Sequence, residues 1–274
     1  MEISRNRKLV AIGGGENGHL RNNGTHTPYE TQNIDKEIVA LTGKINPNFL
    51  LIAHSQNHID FEERYYNTMM KIYGDKLGCE CRWLKKSELY DDFQKAIDDV
   101  EWADIIYEGG GDTDSMIKAW KETGFDKVLY NAWCNGKIMC GISAGGNCWF
   151  KSCSSDSLKI QMNDDSAPMI VLDCLNFIPA FFTPHCNDKN ECVDRLGHMK
   201  ESLKNTDLVG IAMSNCAAIE IIDDKYRIIT DDASNYGIEA YGLKAYWNGN
   251  EYVEEKLDNS ENYKSLEQLL RKGG

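Results

Sequence analysis

Short apolar runs alternate with longer amphipathic segments over the first half of the chain. The runs lie at residues 8–12, 49–53, 81–84, 104–107 and 137–140. Each has the length of a buried strand, and the segments between them carry apolar residues at helical spacing. Parallel strands need a crossover of this kind between each pair, and the crossover helices then cover both faces of the sheet. The pattern therefore predicts a doubly wound α/β fold built on a mostly parallel sheet.

The pattern changes after about residue 205. Strand-like segments follow one another closely at 208–213, 217–222, 226–230 and 242–247. Asn248-Gly249-Asn250 has the composition of a hairpin turn. We expect antiparallel strands at the edge of the sheet, with the hairpin and a terminal helix at about 237–274 as an extension. No repeat or linker interrupts residues 1–274, which indicates a single α/β domain.

The chain is acidic, with a net charge of −13, and no cluster of Lys and Arg stands out in the sequence. We therefore expect neither nucleic acid nor a membrane surface as a partner, because binding to either usually relies on basic patches. No apolar run reaches the length of a membrane helix, and no signal peptide is visible. Several of the ten cysteines lie inside apolar runs, as free thiols do in a reducing compartment, so a cytoplasmic protein is expected.

The stretch Gly141-Ile142-Ser143-Ala144-Gly145 directly follows the fifth apolar run. G-x-S-x-G between a strand and a helix is typical of a nucleophile elbow, in which a tight turn exposes the serine and small neighbours let strand and helix approach. We therefore predict that Ser143 is a nucleophile. The amide of Ala144 would be one donor to the oxyanion of a tetrahedral intermediate.

Two glycine runs follow other predicted strands. Gly109-Gly110-Gly111 precedes a helix, and Gly110 or Gly111 would supply a second amide to the oxyanion. Residues 13–18 match the dinucleotide pattern G-x-G-x-x-G, but no helix follows at once and no acidic residue ends the second strand. A dinucleotide site is therefore disfavoured, and neither a cofactor nor a metal is implied.

A nucleophilic serine needs a base and an acid that orients the base. His185 follows a strand-like run, Phe181-Phe182-Thr183-Pro184, that should end at the same sheet edge as the serine. Four aspartates lie between Ser143 and His185, and spacing alone does not choose among them. They are Asp156, Asp164, Asp165 and Asp173.

Four segments taken together resemble peptidase family S51. They are the elbow GISAGGNCWF, the loop GGGDT, the run SSDSL and the tripeptide TPH. The opening IGGGENG and the stretch CAAIEIIDDKYRI are similar to dipeptidase E (α-aspartyl dipeptidase) proteins and, more distantly, to cyanophycinases. The resemblance extends to about residue 250. It implies a fold like that of class I glutamine amidotransferases, with serine in place of their cysteine, and a Ser–His–Asp/Glu triad.

Carried over to this chain, the resemblance implies Ser143 as nucleophile and His185 as base. Asp156 matches the place of the acid through the run SSDSL. The chain also departs from the family pattern, first at the strand exit AHSQ, where a small, neutral stretch is expected. Asp112 stands where many relatives have Asn and puts a negative charge near the oxyanion, and Ser214-Asn215 replaces what looks like an acidic position.

The expected function is hydrolysis of short peptides by a serine peptidase through an acyl-enzyme. Arg195 is the single arginine between His185 and Tyr226, and we predict that it binds the carboxylate of an N-terminal aspartate. Two alternatives stay open: hydrolysis of an ester or a cyanophycin-like acidic polymer by the same triad, and a degenerate member that only binds a small acidic ligand. The oligomeric state is open as well, a homodimer included.

Overall fold

The computed structural model describes residues 6–19, 21, 23–188, 194–237 and 239–273. The strands are β1 Lys8–Ile12, β2 Asn48–Leu51, β3 Glu80–Trp83, β4 Ile105–Glu108, β5 Ile138–Ile142, β6 Phe150–Ser155, β7 Ile170–Asp173, β8 Ile178–Thr183, β9 Gly210–Met213, β10 Ala217–Ile222, β11 Lys225–Thr230, β12 Gly242–Asn248, β13 Glu251–Leu257 and β14 Lys264–Ser265. The α-helices are α1 Gln32–Ala40, α2 Ile59–Met69, α3 Glu88–Asp91, α4 Phe93–Trp102, α5 Thr113–Thr123, α6 Phe125–Cys134, α7 Ala144–Asn147, α8 Ser157–Met162, α9 Arg195–Leu203 and α10 Leu266–Leu270. A π-helical segment, Met70–Lys76, continues α2, and a 3-10 turn covers Ser234–Tyr236.

The larger sheet has eight strands in the order β14-β11-β10-β1-β5-β4-β2-β3. The five strands from β1 to β3 in this order are mutually parallel. On its other side β1 pairs with β10, and β10, β11 and β14 continue the sheet in antiparallel fashion. The expected parallel core with antiparallel strands added at one side is present in this sheet.

Side chains of the parallel strands alternate between two buried cores, one on each face of the sheet. In β1, Leu9 and Ala11 belong to one core, and Val10 and Ile12 belong to the other. The same alternation holds along β2, β4 and β5. Both faces of these four strands are therefore covered by other parts of the fold, which is why they appear in the sequence as apolar runs.

A second sheet of six strands, in the order β13-β12-β9-β8-β6-β7, was not expected. We expected β9 and β12 at the edge of a single sheet, and this is wrong. In the second sheet β9 lies beside β8, which is parallel to both β6 and β9, and β12 pairs with the other side of β9. Phe150 of β6 and Phe182 of β8 stack with ring centroids 4.4 Å apart and share a core with the larger sheet. Packing of this face against the larger sheet holds the second sheet in position.

The fold is therefore mixed α/β with two sheets, and the closer likeness to class I glutamine amidotransferases stays a prediction, as does the single domain. The predicted hairpin is confirmed, because Asn248 of β12 pairs with Glu251 of β13 across a two-residue turn. The nine cysteines in the described ranges are free thiols, and Cys192 lies outside those ranges. Within the described residues no helix has the length and apolar character needed to cross a bilayer.

Candidate active site

Three consecutive backbone carbonyls at the end of β1 hold the segments that form the site. The carbonyl of Ile12 accepts the amide hydrogen of Ser143 at 3.0 Å. The carbonyl of Gly13 accepts that of His185 at 3.1 Å, and the carbonyl of Gly14 accepts that of Cys216 at 2.9 Å. His185 and Cys216 lie 42 and 73 residues after Ser143 in the sequence. All three are thus fixed to the end of one strand.

The turn at Ser143 is tight and conformationally unusual. Ser143 follows β5, precedes α7, and has φ 57° and ψ −111°, a region that a non-glycine residue rarely adopts. A Cβ on Gly145 would lie 2.2 Å from the Glu108 carbonyl oxygen, and one on Gly141 would lie 2.6 Å from the Gly145 carbonyl oxygen. Only glycine fits at these two positions, so strand and helix approach as an elbow requires.

The structure brings Ser143 and His185 together. The Oγ of Ser143 lies 2.9 Å from Nε2 of His185, within hydrogen-bond distance. His185 comes two residues after the end of β8 and also has a positive φ, 52°. This backbone turn, held by the Gly13 carbonyl, directs the imidazole at the serine.

The other nitrogen of the imidazole contacts an asparagine. Nδ1 of His185 lies 2.6 Å from Oδ1 of Asn215, and Nδ2 of Asn215 donates to Oδ1 of Asp188 at 2.7 Å. An ionised carboxylate only accepts hydrogen bonds, so the amide must turn its NH₂ group to Asp188 and its oxygen to His185. Nδ1 of His185 then carries the proton, and Nε2 is free to accept the hydroxyl proton of Ser143.

The glycine run at residues 13–15 makes room for this pair. A Cβ on Gly14 would lie 2.0 Å from Oδ1 of Asn215 and 2.3 Å from Nδ1 of His185. A side chain at this position would displace one or both of them. One glycine of the dinucleotide-like pattern, Gly14, is therefore required at the site because a larger residue would not fit.

The sequence analysis noted Asn215 but gave it no role, and it missed Asp188. A signal for Asn215 was present in the topology. Strands β8 and β9 are parallel neighbours, so their carboxyl ends meet at one edge. His185 lies two residues after β8 ends at Thr183, and Asn215 lies two residues after β9 ends at Met213. Equal offsets from adjacent strand ends bring two side chains together, but the pairing of these strands was not foreseen.

Asp156 is not in hydrogen-bond contact with His185, which corrects the expected triad contact. Its Oδ2 instead accepts a hydrogen bond from Nη2 of Arg195 at 2.7 Å and forms an ion pair with this guanidinium. The other three candidate aspartates, Asp164, Asp165 and Asp173, are exposed.

Arg195 is also placed differently from the expectation that it binds substrate. It is the first residue of α9, its side chain is only 8% exposed, and it is paired with Asp156. It is absent from the lining of the cavity that contains Ser143. A buried arginine already paired with a carboxylate acts first as a structural contact.

Burial lowers the pKa of His185 below the ordinary value of 6.5, and the positive charge of Arg195 lowers it further. Asp188, the hydrogen bond from the ring to Asn215, and Asp156 act in the opposite direction but do not outweigh these effects. The imidazole is therefore neutral at neutral pH. A neutral imidazole bonded to a serine hydroxyl can serve as a general base.

Of the two glycines proposed for the oxyanion, Gly110 lies closer to the nucleophile. A Cβ on Gly110 would be 3.4 Å from Cβ of Ser143, whereas a Cβ on Gly111 would be 2.4 Å from the Ser55 carbonyl oxygen. Ala144 follows Ser143 as the first residue of α7. The sequence left the choice between the two glycines open, and the shorter distance to Ser143 favours Gly110.

Asp112 does not face the serine. Its carboxylate caps α5 by accepting from the amides of Asp114 and Ser115 at 3.1 and 3.2 Å, and it accepts from Gln161 as well. Burial alone would raise the pKa of Asp112, but these hydrogen bonds outweigh it and keep the pKa below its ordinary value. The negative charge is thus satisfied locally at a helix N-terminus, where it is favourable.

Ser143 opens into a cavity of about 350 Å³. Ser143, His185 and Gly110 line it together with Tyr65 and Phe61 of α2. This volume is in the range of pockets that hold small ligands. In the described ranges, no group of three or more His, Cys, Asp or Glu side chains is arranged to hold a metal ion.

Comparison with known proteins gives one consistent family. Residues 9–229 match the model of peptidase family S51. The uncharacterized peptidase YgaJ of Bacillus subtilis (strain 168) is 27% identical over 240 residues, which cover 86% of this chain and 91% of that protein. A peptidase from an acI-B1 actinobacterium has a similar fold, with a TM-score of 0.67, 18% identity and coverage of 95% and 97% of the two chains. A peptidase E protein from Listeria monocytogenes EGD-e has a TM-score of 0.53, 17% identity and coverage of 92% and 99%. The chain belongs to peptidase family S51.

Proposed function

We propose that this protein is a serine peptidase that hydrolyses short peptides through an acyl-enzyme. The observation that carries the proposal is the continuous chain of hydrogen bonds from Ser143 through His185 and Asn215 to Asp188. Ser143, at one end of this chain, lines an open cavity and is therefore accessible to a substrate. Membership of family S51 supports the same reaction class.

In the first half of the reaction, Nε2 of His185 takes the hydroxyl proton while Oγ of Ser143 attacks the peptide carbonyl. The amides of Gly110 and Ala144 are the proposed donors to the resulting oxyanion. The imidazolium then protonates the leaving amine, and the C–N bond breaks. In the second half, the same histidine removes a proton from water as the water attacks the acyl carbon. The bond between this carbon and Oγ of Ser143 then breaks, Oγ takes the proton back from the imidazolium, and the acid product leaves.

Asn215 and Asp188 act on the histidine in this scheme. The amide oxygen of Asn215 accepts from Nδ1 and so selects the tautomer that can remove the serine proton. Asp188 orients the amide, and its Oδ2 lies 4.0 Å from Nδ1, close enough to stabilise the imidazolium that forms. The side chain of Asn215 thus separates the negative charge from the imidazole, whereas in a Ser–His–Asp triad the carboxylate bonds directly to the ring.

Dipeptides are the proposed substrates, because one similar structure is a peptidase E protein. A preference for an N-terminal aspartate through Arg195 stays a weaker part of the proposal. A substrate carboxylate would have to compete with Asp156, which already bonds this guanidinium at 2.7 Å.

A fluorophosphonate probe and a dipeptide panel test the proposed function. Wild-type protein should be labelled on Ser143 and should cleave dipeptides, whereas Ser143→Ala should lose both properties with unchanged folding. Ser166→Ala removes an exposed hydroxyl in a surface turn and serves as the matched control, with full labelling expected. Labelling of Ser143→Ala at the wild-type level would exclude this serine as the nucleophile.

The second test separates Asn215 from Asp156. Asn215→Leu should lower kcat about 100-fold or more, because it removes the acceptor that selects the tautomer. Asp156→Asn should lower kcat less than about tenfold but reduce the free energy of unfolding by about 1–3 kcal/mol, because it leaves the buried Arg195 without a carboxylate partner. Steady-state kinetics and urea unfolding measure the two effects. A larger kcat loss for Asp156→Asn would return the orienting role to Asp156.

The third test concerns pH. Because the pKa of His185 is lowered, the neutral base should persist below pH 6.5, and kcat/KM should fall only as the pH drops through the lowered value. Asp188→Asn removes a charge that raises this pKa and should move the acid limb to still lower pH. The measurement is kcat/KM from about pH 4 to 8. An acid limb centred at or above 6.5 in wild type would contradict the assigned base.

A further inference from the structure

A second cavity, of about 650 Å³, adjoins the cavity that contains Ser143. The two share the lining residues Asn17, His19, Arg64 and Thr68, so they form one continuous cleft. The second cavity is lined by Arg21, Arg64, Lys71 and Lys76, together with His19 and His26. We name the four Arg and Lys residues the cationic bay.

The cationic bay is unusual because the chain as a whole carries a net charge of −13. Its four members are exposed, and none of them forms an ion pair with a carboxylate in the described part of the chain. Arg64 lies 5.0 Å from the ring centre of Phe61, and Lys76 lies 4.6 Å from that of Tyr29. Glu16, a carboxylate in the cleft, lies 3.4 Å from His19. The positive charge of the bay is thus available to a ligand.

The fold assembles this bay from separated positions. Arg64, Thr68 and Lys71 are spaced four and three residues apart on α2 and the π-helical segment after it, so they share one face. Lys76 ends the same segment, and Arg21 comes from the loop that follows β1. The same α2 face contributes Arg64 and Thr68 to the cavity of Ser143.

We infer that the cationic bay binds the carboxylates of the C-terminal part of the substrate, which leaves as the amine product. This inference rests on the proposed peptidase activity. A peptide ends in an ammonium group at one terminus and a carboxylate at the other. The bay repels the ammonium and attracts the carboxylate, so the C-terminal part lies toward the bay. An acidic C-terminal residue brings a second carboxylate for Arg and Lys to bind. The inferred substrate class is short peptides with an acidic C-terminal residue.

Three peptides that differ by one carboxylate at a time test this inference. Ala-Glu carries two carboxylates, Ala-Gln carries one, and Ala-Gln amide carries none. In wild type, kcat/KM should fall about three- to tenfold at each step, as expected for partly exposed charges. Arg64→Gln and Lys71→Gln should each reduce the ratio between Ala-Glu and Ala-Gln amide about threefold or more.

Lys36→Gln is the matched control, because Lys36 is an exposed helical lysine that lines neither cavity. Its ratio should equal that of wild type. Equal cleavage of Ala-Glu and Ala-Gln amide by wild type would overturn the inference, as would ratios unchanged in both bay variants. Asp-Gln amide carries its carboxylate on the acyl side. An Arg64-dependent gain for this peptide over Ala-Gln amide would overturn the inferred direction of binding.

A binding measurement separates this inference from the proposed function. Calorimetric titration of Ser143→Ala with the same peptides should give affinities in the order Ala-Glu, Ala-Gln, Ala-Gln amide. If wild type cleaves none of the peptides, the proposed function fails, and the order of affinities still decides the role of the bay. Equal affinities for the three peptides would then overturn the inference on its own.

Discussion

The hydrogen bonds at the end of β1 are the constraint on which the site depends. Carbonyls of Ile12, Gly13 and Gly14 bind the amides of Ser143, His185 and Cys216 in succession. Because β1 is a central strand, paired on one side with β5 and on the other with β10, its end is fixed by the sheet. Ser143, His185 and Cys216 have positive φ, a conformation that persists only where the surroundings hold it.

This arrangement explains why glycine occupies the start of the turn after β1. The side chains of His185 and Asn215 pack directly against the backbone of Gly14, where no Cβ fits. The same strand end thus supplies hydrogen-bond acceptors to the backbone of the site and a flat surface to its side chains. Contacts of this kind hold the reacting groups in productive geometry without movement at the moment of reaction.

An amide between the histidine and the carboxylate has consequences for the energetics of the site. A carboxylate buried directly against the imidazole would have to lose much of its hydration, which is costly. Asn215 is neutral and 2% exposed, whereas the side chain of Asp188 is 32% exposed and keeps contact with water. The amide therefore fixes the tautomer in the buried position, and the charge stays at the rim.

Much of the fold followed from sequence pattern because β1, β2, β4 and β5 are buried on both faces, and because glycine runs follow β1 and β4. The elbow at Ser143 was recognisable for the same reason. The second sheet was missed, since β6 and β7 carry polar and apolar residues in short stretches that resemble loops, and the strand-like end of β8 gave no sign of its neighbours. Without β8 and β9 side by side, nothing in the sequence links Asn215 to His185, and the acid was sought among nearby aspartates instead.

The cationic bay was invisible for a related reason. Arg21, Arg64, Lys71 and Lys76 span more than fifty positions, and an acidic chain with scattered basic residues gives no local signal. Their proximity is a property of the loop after β1 and of the face of α2, both of which border the serine. Charge patterning along a sequence is thus a poor guide to charge at a site that several elements build.

The most direct test of the central claim is the tautomer of His185. ¹⁵N NMR of histidine-labelled protein, with the signals of His185 assigned by comparison with His185→Gln, reports which ring nitrogen carries the proton. At a pH where the ring is neutral, we expect a protonated Nδ1 and an unprotonated Nε2, because Asp188 turns the amide oxygen of Asn215 toward Nδ1. A proton on Nε2 would contradict the account, since that tautomer cannot accept the proton of Ser143.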